Sequence, residues 1–135
     1  MLLQGKTAII TGTNKGIGKA ILEKFANEGA NIYACARTET VEFVEMIDTL
    51  KHKTGVSIIP VYFDLRDQES MRRAVKEIHS HKKIIDILVN NAGIAGDTLF
   101  QMTSVAHVKN MLETNFFAPV EFTQYVIKLM KKSKA

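Results

Sequence analysis

A chain of 135 residues, of which 46% are hydrophobic and 24% charged, has the length and composition of one compact domain. The net charge of +4 is too small for a nucleic-acid surface, and no apolar stretch approaches the ~20 residues of a membrane span. The first residues do not resemble a signal peptide, and the lone Cys35 excludes an internal disulfide, so we expect a cytoplasmic protein.

The chain begins with a predicted strand that leads through a glycine-rich turn into a helix. Thr7–Ile10 is short and apolar, and apolar residues recur at helical spacing after the turn. Glycine lets the backbone turn tightly and approach an anion, and a helix start presents unpaired N–H groups to it. This arrangement predicts a phosphate-binding turn and therefore a nucleotide ligand. The residues of the turn are Gly12, Thr13, Asn14, Lys15, Gly16, Ile17 and Gly18.

Two other interpretations of the turn were weighed. A P-loop requires Ser or Thr after its Gly-Lys pair, and Ala20 stands at that position. The spacing G-x-x-x-G-x-G also differs from the common dinucleotide pattern G-x-G-x-x-G. A turn that is rich in glycine only for packing stays open at this point.

Short apolar strands and amphipathic helices alternate along the rest of the chain. We predict further strands at 31–36, 57–63 and 85–90, and helices at 41–53, 68–81 and 105–132. Such alternation indicates βαβ units with a parallel sheet, and continuously apolar strands indicate helices on both faces. The fold class is therefore α/β, a Rossmann-type doubly wound sheet.

Charged residues at two strand ends bear on the choice of ligand. A site selective for NAD places an acid after the second strand, but this chain has Arg37 there and Lys15 in the glycine turn. Two cations favour a ribose 2′-phosphate, hence NADP(H), although both could simply face solvent. Asp64 follows the third strand and could accept from an adenine amino group or serve as an ordinary turn residue.

The fourth strand closes with Asn90, Asn91, Ala92 and Gly93. The two small residues would let a flat cofactor approach, and an asparagine side chain can bridge neighbouring strand ends. A plain turn would use the same residue types. The position at the end of a strand therefore carries the functional interpretation.

Together these motifs resemble the short-chain dehydrogenase/reductase family, and most closely its NADP-dependent 3-oxoacyl-acyl-carrier-protein reductases and related ketoreductases. The resemblance implies a sheet order of 3-2-1-4 and carbonyl reduction, or its reverse, by hydride transfer. Asn115 would be the first member of a catalytic tetrad. The other implied roles are pyrophosphate and ribose binding for Gly12 to Gly18, 2′-phosphate binding for Lys15 and Arg37, adenine contacts for Asp64 and Leu65, ribose contacts for Asn91, Ala92 and Gly93, and a structural role for Asn90.

The family's catalytic Ser and Tyr-x-x-x-Lys do not occur, and Tyr125 precedes Lys128 by one residue too few. We therefore expect residues 1–135 to be a single NADP(H)-binding unit, the N-terminal part of a longer enzyme that acts on a small carbonyl or alcohol. The alternative is a non-catalytic NADP(H)-binding or assembly module. We also expect an open fourth-strand edge beside an exposed helix bearing Phe116, Phe117 and Phe122, and homo-oligomers formed through that long helix. The face around Phe116 and Phe122 could equally be intrachain core.

Two further expectations concern the long helix and the histidines. Pro119 has no N–H to donate to the carbonyl of Asn115, so the helix should kink and leave that carbonyl free. The resemblance implies that this carbonyl holds a proton-relaying water. The four histidines show no metal spacing, so we predict no metal site and regard His52, His79, His81 and His107 as solvated.

Overall fold

The computed structural model describes residues 1–130 of the chain. Strands and helices alternate as the sequence predicts. The strands are β1 (Thr7–Ile10), β2 (Asn31–Ala36), β3 (Ile58–Tyr62) and β4 (Ile87–Val89), and the α-helices are α1 (Gly16–Asn27), α2 (Val41–Thr54), α3 (Gln68–Ser80), α4 (Val105–Leu112) and α5 (Ala118–Met130).

The strands form one parallel sheet in the order β3-β2-β1-β4, which confirms the predicted topology. β1 pairs with β2 on one side and with β4 on the other, so the strand order reverses between β1 and β4. Ligands of doubly wound sheets bind outside the carboxyl ends of the strands at such a switch point. The topology therefore places the glycine turn after β1 where a ligand is expected.

Alternating strand residues pack into two separate apolar layers, one on each face of the sheet. Ile10 and Ile32 face α1 and α2, where Leu22 and Ile47 are buried against them. The opposite layer holds Ile9, Tyr33, Cys35, Val61, Met71, Ile78, Phe122 and Val126, contributed by the sheet, α3 and α5. Because both faces are covered, the strands are apolar without interruption.

Side chains cap several of the helices. The Asp67 carboxylate accepts from the N–H groups of Glu69 and Ser70 at the start of α3. The Thr40 hydroxyl accepts from the N–H of Phe43 at the start of α2. The Ser104 hydroxyl accepts from the N–H of His107 and caps α4.

The elements after β3 depart from the predicted ones. β4 is three residues long and not six, and a 3₁₀ turn at Phe100–Met102 was not predicted. The predicted single helix over 105–132 consists of α4 and α5 joined by a π-helical turn at Glu113–Phe117, and its last two residues lie outside the described part of the chain. The lysines at 131, 132 and 134 lie outside it as well.

The π-helical turn is the form that the predicted kink takes. The N–H of Ala118 donates to the carbonyl of Glu113, five residues earlier, so one residue is inserted into the helical hydrogen-bond pattern. Pro119 follows directly and has no N–H for the Asn115 carbonyl. The expected irregularity is therefore present, but it is a widened turn.

The phenylalanines of this region divide into two groups. Phe116 and Phe117 are exposed, whereas Phe122 is fully buried. The Phe122 ring lies 5.2 Å from that of Phe63, centroid to centroid, on the sheet face covered by α3 and α5. The expectation that Phe122 contributes to an exposed face is therefore wrong, because Ala118, Phe122 and Val126 recur every four residues and form the inward face of α5.

Candidate functional site

A groove of about 500 Å³ lies outside the carboxyl ends of the four strands. Each strand contributes to it through the residues that follow its last position, as the topology requires. Its lining includes Thr11, Gly12, Asn14, Lys15, Gly16, Ile17, Cys35, Ala36, Arg37, Thr38, Thr40, Phe63, Asp64, Leu65, Arg66, Asn91, Ala92, Gly93, Ile94 and Thr114.

The glycine turn forms one wall of this groove and leads into α1. Gly12 and Gly16 have φ angles of +68° and +58°, a backbone conformation that side chains disfavour. Lys15 is the N-cap residue of α1, and no side chain caps the helix. The N–H groups of the first helical turn have no partner within the helix, and no acidic residue lies in that turn. This helix end can therefore accept an anion.

A single hydroxyl group holds the loops after β1 and β4 together. The Thr11 Oγ1 accepts hydrogen bonds from the N–H groups of Asn91 and Ala92, at 3.1 and 3.0 Å. In the reverse direction, the Asn91 side-chain amide donates to the carbonyls of Thr11 and Gly12, both at 3.2 Å. The two loops thus form one rigid floor for the groove.

Of the two asparagines after β4, Asn91 makes the strand bridge that we expected of Asn90. Asn91 bridges the ends of β1 and β4, as described above. Asn90 instead donates from its side-chain amide to the Thr123 hydroxyl on α5, at 3.0 Å. The assignment of the strand bridge to Asn90 is therefore wrong, because the side chain of Asn91, the next residue, is the one directed at the glycine turn.

Thr13 and Gly18 lie behind the groove and not in its lining. Thr13 is fully buried, and both its hydroxyl and its N–H donate to the carbonyl of Cys35. Gly18 is buried against the Gly12 carbonyl and the Asn91 amide, so that a Cβ at residue 18 would overlap them. Both residues therefore shape the turn that faces the ligand.

Three cationic side chains and one carboxylate line the groove: Lys15, Arg37, Arg66 and Asp64. The Asp64 carboxylate pairs with the Arg66 guanidinium, at 3.3 Å between Oδ2 and the terminal nitrogen. Burial raises the pKa of the Asp64 carboxyl, but hydrogen bonds from Arg66 and the charges of Arg66 and Arg37 outweigh burial, and the pKa lies below its ordinary value. Asp64 is therefore ionised at neutral pH.

Asn115 lies outside the main groove but holds one of its walls. Its side-chain amide donates to the carbonyl of Ile94 at 2.7 Å, and its side-chain oxygen accepts from the N–H of Ile94 at 2.8 Å. A Cβ at Gly93 would lie 3.1 Å from the same oxygen. Both polar atoms of the Asn115 side chain are thus engaged with the backbone of Ile94.

Two expectations about single residues can be compared with the structure. Cys35 is buried in β2, and burial raises the pKa of its thiol, as expected for a core cysteine. His81 is exposed but not merely solvated, because its Nδ1 lies 2.9 Å from the Tyr33 hydroxyl and its ring stacks on the tyrosine. His81 is therefore a surface residue with one side-chain partner, Tyr33.

Sequence reasoning missed Arg66, Thr38, Ile94 and Thr114, which also line the groove. Arg66 could have been found, because it lies two residues after Asp64 in a turn that brings i and i+2 together. Thr114 could not, because its position depends on the π-helical turn.

Residues 6–135 match the family model described as short chain dehydrogenase. The chain belongs to the short-chain dehydrogenase family. The match covers all four strands and every described residue of the groove, so the resemblance noted from the motifs is confirmed.

Individual family members show the same relationship. The chain is 35% identical over 132 residues to a 3-oxoacyl-[acyl-carrier-protein] reductase of Aquifex aeolicus, covering 98% of this chain and 53% of that protein. It is 34% identical over 129 residues to an NADPH-dependent 3-dehydrocapnine reductase of Ornithobacterium rhinotracheale, covering 94% of this chain and 44% of that protein.

Among solved structures, the chain resembles the L-sorbose reductase of Gluconobacter frateurii in complex with NADPH and L-sorbose. The TM-score is 0.88 at 33% identity, and the alignment covers 96% of this chain and 49% of that one. The chain thus spans about half the length of the relatives it matches. Within residues 1–130, no helix has both the length and the apolar character needed to cross a membrane.

Proposed function

We propose that the groove binds the adenosine and pyrophosphate portion of NADP(H), with a preference over NAD(H). The observation that carries the proposal is the position of Lys15 and Arg37 on the same groove as the uncapped start of α1. The helix start suits the pyrophosphate, and the two cations suit a further phosphate on the ribose. Asp64 and Leu65 are proposed to border the adenine, and Asn91, Ala92 and Gly93 the ribose.

The descriptions of two relatives support the proposed binding of NADP(H). One solved relative is described in complex with NADPH, and one curated relative is described as NADPH-dependent. The groove needs no residue beyond the described part of the chain for the contacts proposed above. Binding of the adenosine end is therefore proposed for residues 1–135 themselves.

The preference can be measured by titrating NADPH and NADH into the protein and its variants. We expect NADPH to bind more tightly, and the Lys15→Ala/Arg37→Ala variant to lose at least about tenfold in NADPH affinity, because two charge-assisted contacts are removed. NADH affinity should change little.

Lys19→Ala is the matched control, since Lys19 is exposed on α1 and does not line the groove. It should leave both affinities unchanged. Tighter binding of NADH by the native protein, or a double variant with the native preference, would contradict the assignment.

For the whole protein we propose reduction of a small-molecule carbonyl to an alcohol, or the reverse, by hydride transfer to or from the nicotinamide. Asn115 is proposed to act through its carbonyl, because its side chain is engaged with Ile94. No Tyr-x-x-x-Lys occurs within residues 1–135, so the proton-transferring groups are proposed to lie in a further part of the protein. A cytoplasmic location and a homo-oligomeric state belong to the same proposal.

The second candidate function is a non-catalytic NADP(H)-binding module. It is favoured because all the residues proposed to line the adenosine side of the groove lie within the described part of this chain. The coding sequence that follows residue 135 distinguishes the two, because the enzyme needs a further Ser and Tyr-x-x-x-Lys and the module does not. Under either function, the 135-residue chain should bind NADPH without oxidising it when a panel of ketones is added. Turnover by this chain alone would contradict the requirement for further residues.

A further inference from the structure

The groove contains a carboxylate close to the cations that we assign to a phosphate. Asp64 lines the same groove as Arg37, and Arg37 is near enough to contribute to the lowered pKa of the Asp64 carboxyl. An uncompensated carboxylate at this point would pair with Arg37 and repel a phosphate dianion. The groove therefore needs something to neutralise Asp64 if it is to prefer a phosphorylated ribose.

Arg66 satisfies this need through three hydrogen bonds to one carboxylate. Its backbone N–H donates to Oδ1 of Asp64 at 2.9 Å, and its Nε donates to the same oxygen at 3.3 Å. A terminal guanidinium nitrogen donates to Oδ2, also at 3.3 Å. This bidentate pairing fixes the orientation of the carboxylate as well as neutralising its charge.

We propose that Arg66 is a positioning and specificity residue, which holds and neutralises Asp64 so that Arg37 stays available to the ribose 2′-phosphate. The inference rests on the proposed cofactor preference and adds a residue and a role to it. Without the Arg66 side chain, the Asp64 carboxylate pairs with Arg37, the other arginine that lines the groove. Their opposite charges then neutralise each other. The loss of Arg66 should therefore weaken binding of the 2′-phosphate and leave binding of the adenosine unchanged.

The expected effect is selective and of moderate size. The Arg66 and Asp64 side chains are 39% and 35% exposed, so solvent and salt screen their charges. At low ionic strength we expect a change of about two- to fivefold in affinity for a ligand with a 2′-phosphate. A ligand that is otherwise identical but lacks this phosphate should be unaffected.

Adenosine 2′,5′-bisphosphate and adenosine 5′-monophosphate form this matched pair, and their dissociation constants can be measured by calorimetry. Arg66→Gln should weaken only the bisphosphate, by about two- to fivefold at low salt. Adding Asp64→Asn to that variant should restore the native ratio, because the uncompensated carboxylate is then gone. Arg73→Gln, on the exposed surface of α3 and away from the groove, is the control and should change nothing.

Each result is decisive for this role. A parallel loss for both nucleotides in Arg66→Gln would show that Arg66 only maintains the turn, and would overturn the inference. A double variant no better than Arg66→Gln would overturn it too, because the effect would not pass through Asp64. If the native protein binds both nucleotides equally, the proposed cofactor preference itself fails, and the inference fails with it.

Discussion

Gly18 is buried against the Gly12 carbonyl, whereas Gly16, two residues earlier, has open space where a side chain would be. Residue 18 must be glycine because a side chain would overlap the Gly12 carbonyl. Residue 16 favours glycine because its φ is +58°. The two positions show two different reasons for glycine in one turn, because overlap with a backbone carbonyl cannot be relieved by a side-chain movement.

We therefore predict that Gly18→Ala lowers the free energy of unfolding by about 2–3 kcal/mol, through overpacking against the glycine turn. Gly16→Ala, the matched control, should cost about 1 kcal/mol, the strain of a left-handed alanine. Urea unfolding of the two variants measures the difference. An equal loss in both would show that the turn can move away from a new methyl group at residue 18.

The role of a single residue could be predicted where it depends on the residue type. It could not be predicted where it depends on the direction of the side chain. The glycines, Lys15 and Arg37 were identified from spacing alone, and they line or shape the groove. The roles of Asn90 and Asn91 were not, because neighbouring side chains leave a strand end in different directions. A sequence pattern names both asparagines but does not show which one meets the glycine turn.

The π-helical turn between α4 and α5 connects a backbone irregularity to the groove wall. It lies between the capped start of α4 and the buried face of α5, and it contains Asn115, whose side chain holds both polar backbone groups of Ile94. Removal of the extra residue from the helix would rotate Asn115 relative to Ile94. The element therefore positions the loop after β4.

Pro119→Ala tests this connection, because an alanine N–H can donate to the Asn115 carbonyl and favours a regular α-helix. We expect the Ile94 amide to exchange with solvent at least about fivefold faster, as its hydrogen bond to Asn115 weakens. Hydrogen exchange measured by NMR reports this directly. Pro60→Ala, at the chain's other proline in β3, should leave Ile94 unchanged, and unchanged exchange in Pro119→Ala would contradict the connection.

For the secondary-structure elements, the sequence predicted the type of each element more accurately than its first and last residues. β1 and β2 have the predicted bounds. The helix after β4 was predicted as one piece because its apolar spacing continues through it. Pro119 indicates that a hydrogen bond is missing, but the choice between a bend and an inserted residue depends on tertiary contacts such as those of Asn115.

For the whole molecule, the described chain leaves one flank of the sheet and the adjoining helices without cover. β4 pairs only with β1 among the described strands. A hollow of about 330 Å³ beside it is lined by Asn90, Asn115, Phe116, Pro119, Val120, Thr123 and Gln124. Phe116 and Phe117 are 57% and 55% exposed. Apolar surface of this kind beside an open strand favours association.

We therefore predict that the 135-residue chain self-associates through this flank. Sedimentation velocity should show a mass that rises with concentration, and Phe116→Ser/Phe117→Ser should shift the protein toward monomer without loss of helical circular dichroism, because both rings are exposed. Phe100→Ser, in the 3₁₀ turn, is the control and should still associate. A native chain that stays monomeric at all concentrations would rule the prediction out.

The overall topology followed from the sequence because alternation of strands and helices leaves few arrangements of a parallel sheet. The division of the apolar residues between two layers followed from the same alternation, and the structure confirms it. Whether Phe116, Phe117 and Phe122 point outward or inward depends on the helix phase, which the π-helical turn at Glu113–Phe117 resets. Phe122 was misplaced for that reason.

The Thr11 hydroxyl joins segments that are 80 residues apart in the chain. The floor of the groove therefore cannot form from contacts between residues that are close in sequence. The unit of β1, α1 and β2 has no complete binding surface until β4 pairs with β1. Loop closure over such a separation belongs to the slow, late part of folding. Binding of a nucleotide that recognises only the assembled floor would therefore report that the long-range contacts have formed. During refolding, such binding should appear later than the helical circular dichroism.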